Sequence, residues 1–200
     1  MRCAGIVTYN PDLERLRANL NNTASQVDAV FVFDNGSENV ADIRSLADSE
    51  YTTLRVEADP NNRGIAFALN RLLDAAKEHG FKHMLLLDQD SVPTEGMCDE
   101  LERHLTGSVA LVCPFILDRM TEEEWQAQKM PPLERLTHAA KHGAITSGSL
   151  VDVAAALEVG GFDDNLFIDY VDFDFNERLI LNGYEIVKDN TVYLLHEKGK

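Results

Sequence analysis

The first half of the chain alternates short apolar runs with segments in which apolar residues recur every three or four positions. Runs of the first kind are typical of buried strands, and the recurrence is typical of amphipathic helices. The pattern predicts strands at residues 3–8, 27–33 and 53–57 and a fourth strand that ends at Asp88. Apolar faces at 13–20, 40–46 and 65–76 predict the helices between them. Asn10 is expected to cap the first helix, and Pro11 fits its first turn.

The second half of the chain is less regular. It predicts strands at 109–113, 144–146, 184–187 and 192–195 and helices at 152–159 and 173–181. A polar segment at 118–141 contains Pro131-Pro132 and is interpreted as an excursion from the fold or a connecting loop. Strands that alternate with helices indicate an α/β fold with a mostly parallel central sheet. Because the 200 residues contain no internal repeat, we expect a single domain over residues 1–200.

The composition indicates which classes of partner and which cellular compartment fit the protein. The net charge of −16 excludes a nucleic-acid backbone, because no basic surface exists to replace its counterions. A phosphate-bearing substrate fits this charge only if a cation or local arginines neutralise the site. The three cysteines lack a Cys-x-x-Cys spacing and are interpreted as buried apolar residues in a reducing compartment. No signal peptide or membrane-spanning run is recognised, so we expect an intracellular protein.

The fourth strand ends in two carboxylates, Asp88 and Asp90, which are separated by Gln89. The carboxyl ends of strands in open α/β sheets border the crevice that binds ligands. Side chains two positions apart point the same way, so both acids can converge on one cation. Mg²⁺ and Mn²⁺ prefer oxygen ligands and commonly bind through one or two carboxylates plus substrate phosphates. The alternative is a pair of solvated loop acids.

Two further polar groups follow predicted strands. Asp34 can accept the imide N–H of uracil or thymine, although Asp34-Asn35-Gly36 also has the composition of a turn. Asn62-Arg63-Gly64 precedes a helix start, where backbone N–H groups favour anions. Arg63 is therefore a candidate partner of a diphosphate, and its alternative is a solvated loop arginine.

A second acidic group surrounds Asp172 at the start of a predicted helix. Asp172 and Asp174 lie near the start of that helix and can favour its positive end without any catalytic role. Arg178 lies four positions after Asp174 and can pair with it on the helix surface. His196 follows the last predicted strand, where a neutral imidazole can bind a metal ion or serve a structural role.

Taken in order along the chain, these groups resemble the motifs of the family-2 inverting glycosyltransferases with the Rossmann-like, type-A nucleotide-sugar-binding fold. The resemblance runs from Ile6 to about Gly199 and is greatest to bacterial rhamnosyltransferase-like members. The residues that carry it are Thr8-Tyr9-Asn10, Asp34-Asn35-Gly36-Ser37, Asn62-Arg63-Gly64 with Ala68 and Asn70, Asp88-Gln89-Asp90, residues 167–174 with Arg178 and Gly183, and His196 with Gly199.

The resemblance implies roles for individual residues. It implies that Asp90 binds Mg²⁺ or Mn²⁺, that His196 completes the coordination and that Asp172 is the catalytic base. The family has Glu-Asp where this chain has Val171-Asp172, so Asp169 stays open as an alternative base. The residues that the resemblance places at the nucleotide sugar are Thr8, Tyr9, Asn10, Asp34, Asn35, Asn62, Arg63, Gly64, Asp88, Gln89 and Arg178.

The implied reaction moves a sugar such as rhamnose from a dTDP- or UDP-sugar donor to a hydroxyl group, with inversion, in the synthesis of surface polysaccharide. The implied acceptor is a glycan or a lipid-linked sugar. The expected location is the cytoplasm, or the inner face of the cell membrane if the protein associates with it peripherally. Relatives often continue with a C-terminal acceptor-side or membrane-associating region, which residues 1–200 are expected to lack.

Two other functions stay open on the sequence. An apolar strand followed by Asp-x-Asp-x-Val also resembles the nucleophile motif of haloacid-dehalogenase-type phosphatases, in which Asp88 would attack phosphorus and Asp90 would act as acid and base. That motif normally opens the chain, whereas here it follows three apparent strand–helix units. The other alternative is a non-catalytic module that binds a nucleotide sugar.

Overall fold

A computed structural model describes residues 1–118, 127, 129–137 and 144–196. Most of the predicted excursion at 118–141, together with Gly199, lies outside these residues. The strands are β1 (Arg2–Thr8), β2 (Ala29–Asn35), β3 (Leu54–Asp59), β4 (His83–Asp88), β5 (Val92–Pro93), β6 (Val109–Asp118), β7 (Leu133–Leu136), β8 (Leu150–Asp152) and β9 (Glu185–His196). The helices are α1 (Leu13–Ala24), α2 (Val40–Glu50), α3 (Ile65–Glu78), α4 (Met97–His104), α5 (Val153–Glu158) and α6 (Val171–Leu181).

The described strands form one nine-stranded sheet in the order β3-β2-β1-β4-β8-β6-β9-β5, with β7 beside β9. β3, β2, β1 and β4 are parallel, as are β6 and β9, whereas β5, β7 and β8 pair with their neighbours in antiparallel fashion. The predicted α/β fold with a mostly parallel sheet is therefore confirmed. The chain leaves β1 toward β2 on one side and returns to β4 on the other. The carboxyl ends of β1 and β4 thus flank the switch point at which such sheets bind ligands.

Two apolar layers cover the faces of the sheet. One layer packs α3, α5 and α6 against the strands, and the other packs α1, α2 and α4. The face of α3 predicted from helical spacing is buried at Leu69, Leu72, Leu73 and Ala76. A sheet covered on both faces explains why the runs that form β2 and β4 are continuously apolar instead of alternating.

The cysteines are free and buried, as the sequence predicts. Burial raises the pKa of Cys3, Cys98 and Cys113 to about 12, so the thiols stay protonated at neutral pH. Among the described residues, none of the helices combines the length and the apolar composition that crossing a membrane requires.

The start of α1 differs from the prediction. Asp12, not Asn10, caps the helix, because its Oδ1 accepts hydrogen bonds from the backbone N–H groups of Glu14 and Arg15, both at 3.0 Å. Pro11 consequently lies outside the helix. Asn10 has a positive φ of 46°, and its side-chain oxygen accepts from the backbone N–H of Glu38 at 2.8 Å. The asparagine therefore ties the β1–α1 loop to the segment after β2.

Two predictions in the second half are wrong in their boundaries. Residues 144–146 do not form a strand; they enter a turn in which Gly148 donates to the carbonyl of Leu86 at 2.7 Å, and β8 begins only at Leu150. The two predicted strands at 184–187 and 192–195 are one strand, β9. Four polar residues, 188–191, lie between them. Among these Asp189 is buried, and its Oδ1 accepts hydrogen bonds from the backbone N–H and the hydroxyl of Thr191, so the polar residues interrupt the apolar pattern without ending the strand.

Candidate functional site

A cavity of about 490 Å³ opens at the carboxyl ends of β1, β2 and β4, a volume suited to a small-molecule ligand. Parallel pairing aligns these ends, since Thr8 pairs with Asp34 and Val7 with Asp88. The residues that line the cavity are Val7, Tyr9, Asn35, Asn62, Gly64, Ile65, Asp88, Gln89, Asp90, Phe167, Ile168 and His196. Six of the predicted nucleotide-sugar contacts and both predicted metal ligands are therefore brought together.

Thr8 and Asp34 are buried and do not line the cavity. Asp34 is only 1% exposed, and its carboxylate accepts hydrogen bonds from the Thr8 hydroxyl at 2.9 Å and from the hydroxyl and backbone N–H of Ser37 at 2.5 and 2.9 Å. Ser37 Oγ in turn accepts from the backbone N–H of Asn10 at 2.7 Å. In the structure, the hydrogen bonds of Asp34 fix the β2–α2 turn. Its direct contact with a base stays a prediction.

Asn35 organises the loop between β3 and α3. Its amide nitrogen donates to Asn62 Oδ1 at 3.0 Å and to the Gly64 carbonyl at 3.1 Å, and its oxygen accepts from the Arg63 backbone N–H at 3.0 Å. Asn62 Oδ1 also accepts from the Gly64 backbone N–H at 3.0 Å. Because all three Asn35 bonds end on this short loop, one buried side chain at the end of β2 sets its conformation.

Gly64 is required by a close approach of two loops. It has a φ of +90°, and a Cβ at this position would lie 2.7 Å from the carbonyl oxygen of Phe167. The same carbonyl accepts from the backbone N–H of Ile65 at 2.8 Å, where α3 begins. The acidic motif around Phe167 and the loop before α3 are therefore joined directly, and Phe167 and Ile168 form one wall of the cavity.

Arg63 points away from the lining of the cavity. Its guanidinium carbon lies 3.8 Å from the ring centroid of Phe67, and Nη1 is 3.7 Å from Asp59 Oδ2. The side chain is 54% exposed, so solvent screens its ion pair. Its predicted contact with a diphosphate stays a prediction that requires the side chain to leave the Phe67 ring.

The opposite wall of the cavity is acidic. Burial raises the pKa of Asp88, and the charges of Asp90 and Asp172 raise this pKa further. The charge of His196 acts in the opposite direction and lowers it. Asp90 Oδ2 lies 4.0 Å from Arg15 Nη1. Tyr9 connects this wall to β1, since its backbone N–H donates to Gln89 Oε1 at 2.8 Å. The charges of two neighbouring carboxylates thus act on Asp88 near the carboxyl end of β4.

Asp172 differs from its neighbour Asp169 in environment. Burial raises the pKa of Asp172, although the backbone N–H of Phe173 donates to its Oδ1 at 2.9 Å, whereas Asp169 is exposed. Tyr170 precedes α6 with a positive φ of 65°. Asp172 is close enough for its charge to act on Asp88. Of the two candidate bases, Asp172 therefore has the partly desolvated setting.

Arg178 forms hydrogen bonds within α6 and with the end of α5. It donates to Asp174 Oδ2 from Nε at 2.9 Å and from Nη2 at 2.6 Å, and Nη1 donates to the Val159 carbonyl at 2.6 Å. The predicted pairing of Arg178 with Asp174 is therefore confirmed. Arg178 joins α6 to the end of α5, and its contact with a nucleotide sugar stays a prediction.

The residues of the cavity fit a divalent ion only if the phosphates of a substrate also bind it. Within the described ranges that end at residue 196, no three His, Cys, Asp or Glu side chains form a cluster able to hold a metal ion alone. Asp88 and Asp90 nevertheless offer hard oxygen atoms to the same cavity. Mg²⁺ and Mn²⁺ are commonly held by one or two carboxylates plus the phosphates of a substrate. The donor set matches that mode.

Sequence reasoning missed Ser91 and Ser147. Ser147 Oγ accepts from the backbone N–H of Asp88 at 3.1 Å and lies 2.8 Å from Ser91 Oγ, which lies 2.8 Å from His196 Nδ1. Ser91 directly follows the paired acids, so its position was visible in the sequence. Ser147 lies more than fifty residues away, and no local signal indicates its contact with β4.

Comparison with known proteins identifies sequences that are similar to this chain. A model of glycosyl transferase family 2 matches residues 3–154. The dTDP-rhamnosyl transferase RfbF of Shigella flexneri is 29% identical over 206 residues, which cover 98% of this chain and 69% of that protein.

Two solved structures share the fold at low sequence identity. The mannosyltransferase PcManGT of Pyrobaculum calidifontis, in complex with GDP-Man and Mn²⁺, matches with a TM-score of 0.75 and 18% identity over 100% of this chain and 57% of its own. GalNAc-T7 with UDP, GalNAc and Mn²⁺ matches with a TM-score of 0.75 and 14% identity over 98% of this chain and 44% of its own. The chain thus spans about half the length of these solved structures.

Proposed function

The chain belongs to glycosyl transferase family 2, and from this membership and the geometry of the cavity we propose that it transfers rhamnose or a similar sugar from a dTDP- or UDP-sugar to an acceptor hydroxyl. The observation that carries the proposal is the meeting of two walls at the switch point of the sheet. One wall is the loop fixed by Asn35, and the other holds Asp88 and Asp90. The homology to a dTDP-rhamnosyl transferase supports dTDP and rhamnose as the first choices.

In the proposed complex the donor occupies the cavity, with its nucleotide toward Tyr9, Asn35 and Asn62 and its diphosphate toward Asp90. Asp34 and Thr8 support the nucleotide side, since their mutual hydrogen bond fixes the end of β1 to the end of β2. Asp90 would hold Mg²⁺ or Mn²⁺ together with the phosphates, and Asp88 would contact the ribose or a metal-bound water. When bound, the ion supplies positive charge that stabilises the leaving diphosphate.

Asp172 is the proposed catalytic base. The acceptor oxygen forms a bond to the anomeric carbon, the bond from that carbon to the phosphate oxygen breaks, and the hydroxyl proton moves to the Asp172 carboxylate. Attack from the face opposite the leaving group inverts the anomeric centre. No protein nucleophile takes part in a single displacement, consistent with thiols whose pKa of about 12 keeps them protonated.

The acceptor is proposed to be a glycan or a lipid-linked sugar in surface polysaccharide synthesis, and the enzyme is proposed to act in the cytoplasm or at the inner face of the membrane. Residues 1–200 are proposed to form one catalytic domain. The acceptor would approach beside the exposed side chains of Phe167, Ile168 and Tyr170, which lie next to Asp172 in the chain.

Titration calorimetry with dTDP, UDP and GDP, each with Mn²⁺ and with chelator, tests the proposal. We expect dTDP or UDP to bind more tightly than GDP, and chelation or Asp90→Ala to weaken binding without lowering the melting temperature. Release of the sugar to an acceptor in the presence of dTDP-rhamnose would then separate a transferase from a module that only binds. Equal affinity for all three nucleotides, or hydrolysis of a simple phosphate ester, would refute the assignment.

A further inference from the structure

The two ends of the described sheet differ in how their outer strands are protected. β5 is two residues long and contains Pro93, as is typical of an edge that avoids pairing with another chain. β3, at the other end, has six residues without proline, and no described strand lies on its outer side. α3 packs over β2 and β1 and leaves a cavity of about 160 Å³ between itself and β3. The edge of β3 is therefore open to another chain.

The outward backbone groups of β3 follow from its pairing with β2. The backbone N–H of Val30 donates to the Thr53 carbonyl at 3.1 Å, so this carbonyl points toward β2. The direction alternates along a strand, and the register of β3 on β2 continues without a break. The N–H and C=O groups of Leu54, Val56 and Ala58 consequently point away from the sheet. Such a row of groups is a template for pairing with a further strand.

The side chains of β3 divide between two faces of different chemistry. Leu54 and Val56 are half-buried against the apolar layer that contains α2, whereas Arg55 and Glu57 are exposed on the face that α3 covers. Arg71 of α3 donates to Glu57 Oε1 from Nε at 3.1 Å and from Nη2 at 2.8 Å. Both bonds end on one oxygen, so Oε2 can accept from a further donor.

A second copy of the chain matches both faces when the two β3 strands run antiparallel with Val56 opposite the partner's Val56. Arg55 then lies opposite the partner's Glu57, and Glu57 opposite the partner's Arg55. These two pairs fall at non-hydrogen-bonded positions, where opposing side chains are closest. On the other face Leu54 meets the partner's Ala58. The outward backbone groups meet in the alternate pairs, each of which exchanges two hydrogen bonds.

The other twofold registers of β3 are less favourable. A centre at Arg55 or at Glu57 places two like charges directly opposite each other, which is destabilising. A centre at Ala58 places Glu57 opposite the partner's Asp59, again with like charge. A centre at Leu54 separates Arg55 from the partner's Glu57 and forms no ion pair between them. Charge complementarity therefore selects the register described above.

We propose that β3 pairs with β3 of a second copy, so that the chain forms a twofold dimer through one continuous sheet. The paired strands run in opposite directions, so the two cavities at the strand ends open at opposite edges of the joined sheet, and each is built by one copy. One strand pair is a small interface, and the net charge of −16 on each chain opposes association. The dimer should therefore dissociate on dilution.

Sedimentation velocity over a concentration series tests the dimer without any substrate. We expect the wild type to shift from monomer to dimer as its concentration rises. Arg55→Glu places like charges opposite each other and should abolish the dimer, and Glu57→Arg added to it should restore the dimer by exchanging the two charges. Arg103→Glu, on α4, removes an ion pair with Glu100 at an exposed position and should leave the dimer intact. Melting temperatures show that each variant is folded. A wild type that is monomeric throughout, or a dimer that Arg55→Glu leaves unchanged, would overturn the proposal.

Disulfide cross-linking tests the register. In the proposed dimer the two Val56 Cα atoms form a hydrogen-bonded pair about 5.5 Å apart, within the range that a disulfide spans. The two Leu54 Cα atoms are displaced by four residues, roughly 13 Å, which is too far. Val56→Cys should therefore give a covalent dimer on mild oxidation, and Leu54→Cys, on the same face, should stay unlinked. The native thiols are buried with a pKa of about 12 and should not react. Cross-linking of Leu54→Cys, or none of Val56→Cys, would overturn the register.

Discussion

Replacing Asn35 tests whether one side chain holds the loop that borders the cavity. Asn35→Ala removes two donated hydrogen bonds, to Asn62 Oδ1 and the Gly64 carbonyl, and one accepted from the Arg63 N–H. Asn35→Asp keeps the volume and the accepted bond but places a carboxylate oxygen against two acceptors. Both changes should therefore release the loop, and the aspartate should do so although no atom is lost from the buried site.

The magnitude follows from the three bonds. Each net hydrogen bond contributes about 1 kcal/mol, so Asn35→Ala should lower the free energy of unfolding by about 3 kcal/mol. A domain is commonly stable by about 5–15 kcal/mol, so the variant should still fold. For a chain of this size the melting temperature should fall by roughly 6–12 °C.

Urea denaturation gives the free energy of unfolding, and calorimetry with dTDP gives the affinity. Asn61→Ala is the matched control, because Asn61 lies in the same loop, is exposed and places its amide nitrogen 3.4 Å from Asp59 Oδ1. The control should change stability by less than about 0.5 kcal/mol. The reasoning would be refuted if Asn35→Ala were no less stable than Asn61→Ala, or if Asn35→Asp bound dTDP like the wild type.

The remaining predictions concern the base and the close contact of two loops. Asp172→Asn should preserve dTDP affinity and lower transfer by about 10²–10⁴-fold, whereas Asp169→Asn should change it little; the opposite order, measured with the natural acceptor, would reassign the base. Because burial raises the pKa of Asp172, the carboxyl stays protonated to a higher pH than an ordinary aspartic acid, so the transfer rate should rise with pH through a midpoint above about 4. A pH–rate profile with a midpoint at or below that value would contradict this assignment. Gly64→Ala should cost about 2 kcal/mol or more, because it adds a clash with Phe167 to backbone strain. Gly80→Ala, with a φ of +74° and open space, isolates the strain, and equal losses in urea denaturation would remove the clash from the argument.

The sequence predicted those parts of the site that depend on strand ends. Asn35 and Asp88 follow continuous apolar runs, and parallel strands bring such ends to one edge of a sheet, so their meeting could be anticipated from the α/β pattern alone. The structural roles of individual side chains within the site could not be anticipated in this way. Asp34 has the residue type of a base contact, yet its burial and its bonds to Thr8 and Ser37 depend on how two loops pack.

The misjudged elements share a different cause. Local pattern marks a polar residue as the end of a strand, but Asp189 stays within β9 because nearby groups satisfy its oxygen atoms. At the start of α1, Asn10 and Asp12 are both acceptable caps by residue type. The choice falls to Asp12 because the left-handed backbone of Asn10 directs its side chain to Glu38. In both cases the deciding partners lie outside the window that a periodicity analysis reads.

Electrostatics explains why the two walls of the cavity differ in chemistry. A chain with a net charge of −16 repels a nucleotide sugar at long range, and Asp88, Asp90 and Asp172 add to this repulsion at short range. Backbone N–H groups and amides can be placed close to an anion without changing the net charge, and the loop wall is built from such groups. Carboxylates are useful there only if a divalent ion stands between them and the phosphates. The carboxylates at the end of β4 therefore suit the proposed donor only together with the ion, whereas the amide groups of the loop wall suit it with or without the ion.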